Sequence, residues 1–243
     1  MMTKEIGTVT ALFRYPVKSM AGESLTRGEL GWHGLDGDRR FAFRRLEENG
    51  GFPWLTAGRL PGLLRYRPVS VAEQGESALP THVHTPDGKT LPLSGAELQA
   101  EIAALYGKEV QLMRLNHGIF DEAAVSLISE ATIAEVAREC GKPLDVRRFR
   151  PNLLIQTTSA QPFVEDNWVG GVISFGDDGE GPELSITLRD VRCAMLNLDP
   201  DTAQSDPVVL KTVVRGNANC AGVYAAVTKT GVVTVGQKLY LKS

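Results

Sequence analysis

The sequence predicts a mostly β chain of the α+β class, arranged as two barrel-like units in series. Short runs rich in β-branched and aromatic residues recur at intervals of about ten residues, each stopped by Gly, Pro, Asn or Asp, which is the pattern of barrels and sandwiches. Only two stretches keep the 3.6-residue apolar period of a helix. The 243 residues are 42% hydrophobic and 23% charged, enough apolar material for one large core or two smaller ones and too much for a disordered chain. The expected division is an N-terminal β-barrel-like domain over residues 1–93, a linking helix over 94–107, and a second β-barrel domain with a few helices over 108–243.

Thr8–Tyr15 is β-branched and aromatic and is stopped by Pro16, so it reads as a strand delivering Lys18 and Ser19 into a turn. An ammonium and a hydroxyl just past a strand end can grip a phosphate; a solvated turn lysine carries the same signature. Gly31–Asp38 is punctuated by glycine and reads as a loop feeding a strand at Arg39–Phe43. Arg39 then sits at a loop-to-strand junction, where binding residues concentrate. Arg59 follows among short turns, as an anion contact or a surface arginine. His82-Val83-His84 before Pro86-Asp87-Gly88 reads as a hairpin, because two histidines on one strand face have no third metal ligand nearby.

Leu98, Ile102 and Leu105 share a helical stripe between Ser94 and Gly107, which predicts a helix over 95–106. Ile133, Val136, Ala137 and Cys140 predict a second helix over 129–140, ended by Gly141 and Pro143, with Cys140 in the core. The backbone N–H groups at its start, beside Ser129, either face an anion or are capped by Ser129 itself. Arg147, Arg148 and Arg150 precede the apolar strand Leu153–Ile155. Further strands are expected at 170–172, 184–188, 223–227 and 232–241. Val191–Leu198 reads as a buried or half-buried strand carrying Cys193 into the turn at Asp199-Pro200, and Arg215–Tyr224 as a Gly- and Asn-rich loop carrying Cys220.

Three cysteines, an odd number, argue for free thiols in a reducing compartment rather than a disulfide framework. With no signal-peptide pattern at the start and no apolar run of about 18 residues, the chain is expected in the cytoplasm and off the membrane. The net charge is −3, yet residues 1–70 hold 11 Lys and Arg against 7 Asp and Glu, a local +4. That excess suits a small anionic ligand and is too slight for nucleic acid.

Tyr15-Pro-Val-Lys-Ser19, Gly37-Asp-Arg39, Ser129-Glu-Ala131, Phe149-Arg-Pro-Asn152, Cys193 followed by Asp199-Pro-Asp-Thr202, and Val233–Tyr240 occur in this order along nearly the whole chain. Together they resemble the MOSC proteins that carry a MOSC N-terminal β-barrel domain, a family that includes the mitochondrial amidoxime reducing component and its bacterial relatives. The resemblance implies a molybdenum pyranopterin cofactor, reduction of N-hydroxylated small molecules, and electrons drawn from separate donor proteins. It also implies a weak, family-level association with pyridoxal phosphate. Lys18, Ser19, Arg39, Arg59, Ser129, Glu130, Arg150 and Asn152 are the implied cofactor contacts. A soft thiolate suits molybdenum. The family's ligating cysteine follows a Leu-Lys-Ser-Tyr-like stretch. Here Leu210-Lys-Thr212 is followed by a cysteine only at 220, and a small loop insertion would restore it. Cys220 is therefore expected as the ligand, with Cys193 as the alternative and a neighbour in the same pocket. The usual Cys-x-x-Cys before the Asp-Pro-Asp-Thr turn is here Asp190-Val-Arg-Cys193. A carrier of the cofactor, or of sulfur as a persulfide, is the second implied function.

Overall fold

The computed structural model describes residues 3–70, 79–176 and 180–242. The chain opens on a long strand, β1 (Thr3–Arg14), whose inward side chains Ile6, Val9 and Leu12 are apolar and buried. β2 (Glu23–Leu25) pairs beside it, and β3 (Arg27–Gly31) turns into β4 (Gly34–Leu35), so the glycine-rich stretch read as a loop is in part a short hairpin. β5 (Phe41–Arg45) follows. β6 (Arg67–Val69), β7 (His82–His84) and β8 (Thr90–Pro92) make a three-stranded antiparallel sheet, with the expected β7–β8 hairpin. Next come α1 (Ala96–Tyr106), ended by Gly107 in the left-handed region, and β9 (Val110–Arg114), which pairs with β5.

The second half runs β10 (Val125–Ser129), α2 (Glu130–Cys140), β11 (Leu153–Thr157), β12 (Val172–Phe175), β13 (Glu183–Val191), α3 (Pro207–Asn217), β14 (Cys220–Lys229), β15 (Gly231–Thr234) and β16 (Lys238–Lys242). Seven strands close a barrel in the order β11-β10-β14-β13-β12-β16-β1, with β1 pairing back onto β11. All of its pairs are antiparallel except β10–β11, and α2 lies on the connection that a parallel pair requires. Leu127, Ile155, Ile173, Phe175, Leu184 and Val223 fill the interior. A second core packs Val17, Met20, Phe43 and Val83 against Leu98 and Ile102 of α1, and a third joins α2 to α3.

Strand pairing crosses the expected division of the chain. β1, at the start of the expected N-terminal unit, completes the barrel, and β3 pairs with β15. α3 was not anticipated: Val209 and Val213 face inward on one clear apolar side, but Val208, Val209, Thr212, Val213 and Val214 are β-branched, a composition that favours strand over helix. The stretch 217–222, read as a loop, is the end of α3 and the start of β14. Gly222 lies so close to β10 that a Cβ would come within 2.5 Å of the Leu127 carbonyl oxygen.

Candidate functional site

A cavity of about 790 Å³ opens where the turn after β1 and the loop before β5 meet the ends of β11 and β13. Lys18, Ser19, Arg39, Arg150, Arg192 and Cys193 all line it. The turn after β1 is held by the Lys18 amide donating to the Phe41 carbonyl at 2.8 Å and the Arg39 amide donating to that of Tyr15 at 2.8 Å. Ser19, Arg39 and Arg150 are not glycines, yet their φ angles are +67°, +46° and +49°. A side chain in the left-handed region costs on the order of 1–3 kcal/mol and persists only where the surroundings enforce it, typically at a functional site.

The enforcing contacts are charged. Arg39 is buried, with Asp38 on Nη1 and Asp121 at 2.5 Å from Nε, and its Nη2 donates to the Arg150 carbonyl at 3.0 Å. Burial alone would lower its pKa, but the two carboxylates outweigh it and hold the guanidinium charged. Asp121 bridges to Lys18, whose Nζ also donates to the Phe120 carbonyl at 2.7 Å. Burial pushes the Asp121 carboxyl up, yet Arg39 and Lys18 bring it below the ordinary value. Lys18 is lowered by its own burial.

Arg150 is different. Its guanidinium stacks on the Tyr15 ring at 4.1 Å, with Arg39 at 5.1 Å from the same ring, and Nη1 donates to the Met20 carbonyl at 2.8 Å. Nη2 is buried and makes no hydrogen bond, and no carboxylate pairs with this arginine among the described residues. Burial brings its pKa down to about 10, with the neighbouring Arg39 adding to the effect. An unpaired, partly desolvated cation of this kind calls for an anion.

The thiol of this cavity is Cys193. β13 ends at Val191, and Cys193 caps the single 3-10 turn Ala194–Asn197 and is exposed, so the expectation of a buried or half-buried strand through 191–198 does not hold. The segment is pinned from behind. Asp190 is buried, accepts from Ser126 at 2.9 Å and from the Tyr224 hydroxyl, and pairs with Arg192 at 2.9 Å. Arg192 in turn donates to the carbonyls of Ala221 and Phe149, each at 2.7 Å. Burial raises the Asp190 carboxyl despite these partners.

Cys220, the expected ligand, stands elsewhere. It opens β14 opposite Val191, is 6% exposed, and its Sγ lies 3.6 Å from the Ala218 carbonyl oxygen; it does not line the cavity. Burial raises its thiol, the reverse of what a thiolate ligand needs. The physical reason is the continuous helix-to-strand path from α3 to β14, which leaves no projecting loop.

The other implied contacts divide. Ser129 is buried and caps α2 itself, accepting from the Thr132 amide at 3.1 Å and donating to Glu165 at 2.8 Å, so neither it nor Glu130 lines the cavity. Asn152 lies behind Arg39, with Oδ1 accepting from Arg39 at 3.4 Å and from the Ser126 amide at 3.0 Å. Arg59 is exposed, and only its neighbours Thr56 and Gly58 reach the wall. Asp121, Asp190, Ser126 and Tyr224 were not anticipated; Asp190 was legible only as the residue standing where the Cys-x-x-Cys pattern has its first cysteine. The remaining wall is apolar, with Trp54 edge-on to Phe120 at 4.5 Å between ring centres, and Met113 and Ile119 nearby.

The MOSC N-terminal beta barrel domain family matches residues 6–130 and the MOSC domain family residues 114–240. The mitochondrial amidoxime-reducing component 1 of Danio rerio is 31% identical over 129 residues, covering 49% of this chain and 37% of that protein's length. The human protein of the same name is 24% identical across 99% of this chain and 84% of its own. A molybdenum cofactor sulfurase of Danio rerio is 25% identical over 90% of this chain and 32% of its own length. Among solved structures, the YuaD protein from Bacillus subtilis superposes with a TM-score of 0.54 at 14% identity, over 99% of this chain and 98% of that one, which shows the shared fold. No described helix is long and apolar enough to cross a membrane. With a closed seven-stranded barrel and both family models matched in order along one chain, this protein belongs to the MOSC family, in the branch that carries the MOSC N-terminal β-barrel domain.

Proposed function

We propose that the chain is an oxidoreductase that holds a molybdenum pyranopterin cofactor in the Cys193 cavity and reduces N-hydroxylated small molecules. The observation that carries this reading is the conjunction, in one cavity, of an exposed thiol with a buried guanidinium that has no counter-charge, Arg150, beside Lys18, Ser19 and Arg39. The cofactor fits these residues: its phosphate is the anion that Arg150 lacks, and its metal is a soft centre suited to a thiolate. Lys18, Ser19, Arg39 and Arg150 would hold the phosphate and pterin, and Cys193 would be the protein's ligand to the metal in place of Cys220. Once bound, the cofactor would supply two-electron transfer to an N–O bond.

The chain's own residues do the rest. Asp190, Arg192, Ser126 and Tyr224 fix the backbone that presents Cys193, so the thiol has one position when ligand arrives. Trp54, Phe120, Met113 and Ile119 offer an apolar wall to an uncharged, largely apolar substrate and exclude water from it. Electrons would come from separate donor proteins, and no nucleic acid or membrane is involved. The family-level association with pyridoxal phosphate is not part of this reading, because an imine at Lys18, the lysine of the wall, would break the ammonium's ion pair with Asp121, whereas a phosphate contact leaves that pair in place.

The test is elemental and pterin analysis of protein made in cells that synthesise the molybdenum cofactor, followed by amidoxime reduction with an artificial electron donor. Stoichiometric molybdenum with turnover supports the reading; protein that takes up no molybdenum under these conditions overturns it. The exposure of Cys193 also favours a second reading, a carrier of the cofactor or of persulfide sulfur. That carrier would bind without turnover and pass its cargo to an apo-enzyme.

A further inference from the structure

Arg150 also lines a second cavity, of about 440 Å³, enclosed between the β6–β8 sheet and the barrel-side loops that carry Arg147 and Asp201. Clefts between packed units are where small ligands usually bind. Its wall holds four arginines, Arg65, Arg67, Arg147 and Arg150, and the imidazole of His84, against one carboxylate, Asp201. That carboxylate is already engaged: Arg147 reaches it with two nitrogens at 2.9 and 2.7 Å, while Arg67 stands at 4.0 Å. Neither Arg65 nor Arg150 has an ion pair among the described residues. Arg147 is also held by Asp145 at 2.6 Å, so the concavity keeps an excess of about two positive charges in a chain whose net charge is −3. Field lines concentrate in such a cleft and raise the local concentration of anions. Its inner end is shaped as well as charged. Tyr15 is 1% exposed, its ring carries the Arg150 guanidinium, and Gly22 sits so near that a Cβ there would come within 2.4 Å of the ring.

We propose that this second cavity binds a phosphate group, as inorganic phosphate or as the phosphomonoester of a small metabolite, with Arg65, Arg67 and Arg150 as its counter-charges. Arg65 and Arg150, with no carboxylate among the described residues, and Arg67, 4.0 Å from a carboxylate that Arg147 already holds, match a dianion better than a carboxylate, and their planar forks suit the tetrahedral oxygens. Because Arg150 also borders the Cys193 cavity, occupancy here would steady the same guanidinium that faces the thiol. It shares Arg150 with the cofactor reading but leans on Arg65 and Arg67, which do not line the first cavity, so its test can fail without that reading failing.

Isothermal titration of the full chain at low salt, with inorganic phosphate and with glycerol 3-phosphate as probes, tests the idea. The expected result is one-site binding that weakens at least about tenfold in the Arg65→Ala/Arg67→Ala variant and is unchanged in Arg138→Ala. Both arginines of the double variant are exposed, so the fold should survive the change. Arg138 is an exposed control already paired with Glu135 and Glu139. Equal affinity for the two probes assigns the site to free phosphate, and tighter binding of the ester assigns it to a phosphomonoester. The proposal is overturned if neither probe saturates below about 10 mM, or if the double variant binds as well as the parent while Lys18→Ala does not, which would place the anion in the first cavity.

Discussion

Cys193 lies two residues past the end of β13 and Cys220 opens β14, and the last residue of β13, Val191, pairs with Cys220. One thiol is exposed in a cavity with arginines; the other is packed beneath the end of α3 with a raised pKa. Local sequence points the wrong way for both: the apolar neighbours of Cys193 suggest burial, and the glycines and asparagines around Cys220 suggest a loop. What separates them is where β13 stops. Asp190 and Arg192 anchor the strand end from inside, so the next residue but one is thrown outward. Access and charge therefore follow from the anchoring pair, and composition around each cysteine says little.

The sharpest way to break this contrast is to exchange the thiols for hydroxyls. Cys193→Ser is expected to lower molybdenum retention and turnover by about 100-fold or more, beyond what loss of an outer partner does. Cys220→Ser should leave metal content intact and shift stability by only about 1 kcal/mol. Metal analysis and thermal melts of both variants decide, and the reverse pattern would return the ligand role to Cys220. A chemical version needs no cofactor: Cys193 should react with iodoacetamide about 100-fold faster than Cys220, which must wait for local opening. Mass mapping of labelled peptides over time reads the ratio.

The arginines sharpen the comparison further. Arg39 has its carboxylates and Arg150 has none, so Arg150→Met should stabilise the cofactor-free protein by about 1 kcal/mol while weakening cofactor retention, the usual exchange of stability for function. A melt of the apo variant that falls instead would mean that the stacking on Tyr15 outweighs the desolvated charge. The smallest effect is expected at Asp121. Its carboxyl is held below the unfolded value of about 3.9, so its stabilisation is complete above that pH and is lost as pH falls through the folded value. Asp121→Asn should therefore melt lower than the parent at neutral pH and converge with it toward pH 3, a difference that calorimetry across pH can follow.

Much of the fold was legible where one local signal sufficed. The stripes of α1 and α2, the β7–β8 hairpin and the strand before Pro16 each rest on periodicity or a turn residue. α3 was hidden because its run of β-branched residues has the composition of a strand, and the end of β13 because Val191–Leu198 stays apolar across a turn. Lys18, Ser19, Arg39 and Arg150 could be singled out by motif, and the structure brings all four to one wall. Ser129 could not be separated from an anion contact by sequence, since a self-capping serine looks the same until Glu165 is seen against it. Asp121 has no local pattern at all; its meaning comes from Lys18 and Arg39, which are distant in sequence.

The closed barrel also carries a consequence for how the chain is made. Glu5 of β1 pairs with Lys238, 233 residues away, and Thr10 of the same strand reaches Leu154 across 144. Contacts of that separation are slow to find and must bear the entropy of closing very long loops. On a ribosome only the Leu12–Arg14 end of β1 finds an early partner, in β2; the edge that takes β11 waits for Leu154, and the edge that takes β16 waits for Lys238. An exposed apolar strand of this length is a template for pairing with another nascent copy. The order of synthesis thus makes β1 the barrel strand that waits longest for its last partner and that cotranslational chaperones have most reason to cover.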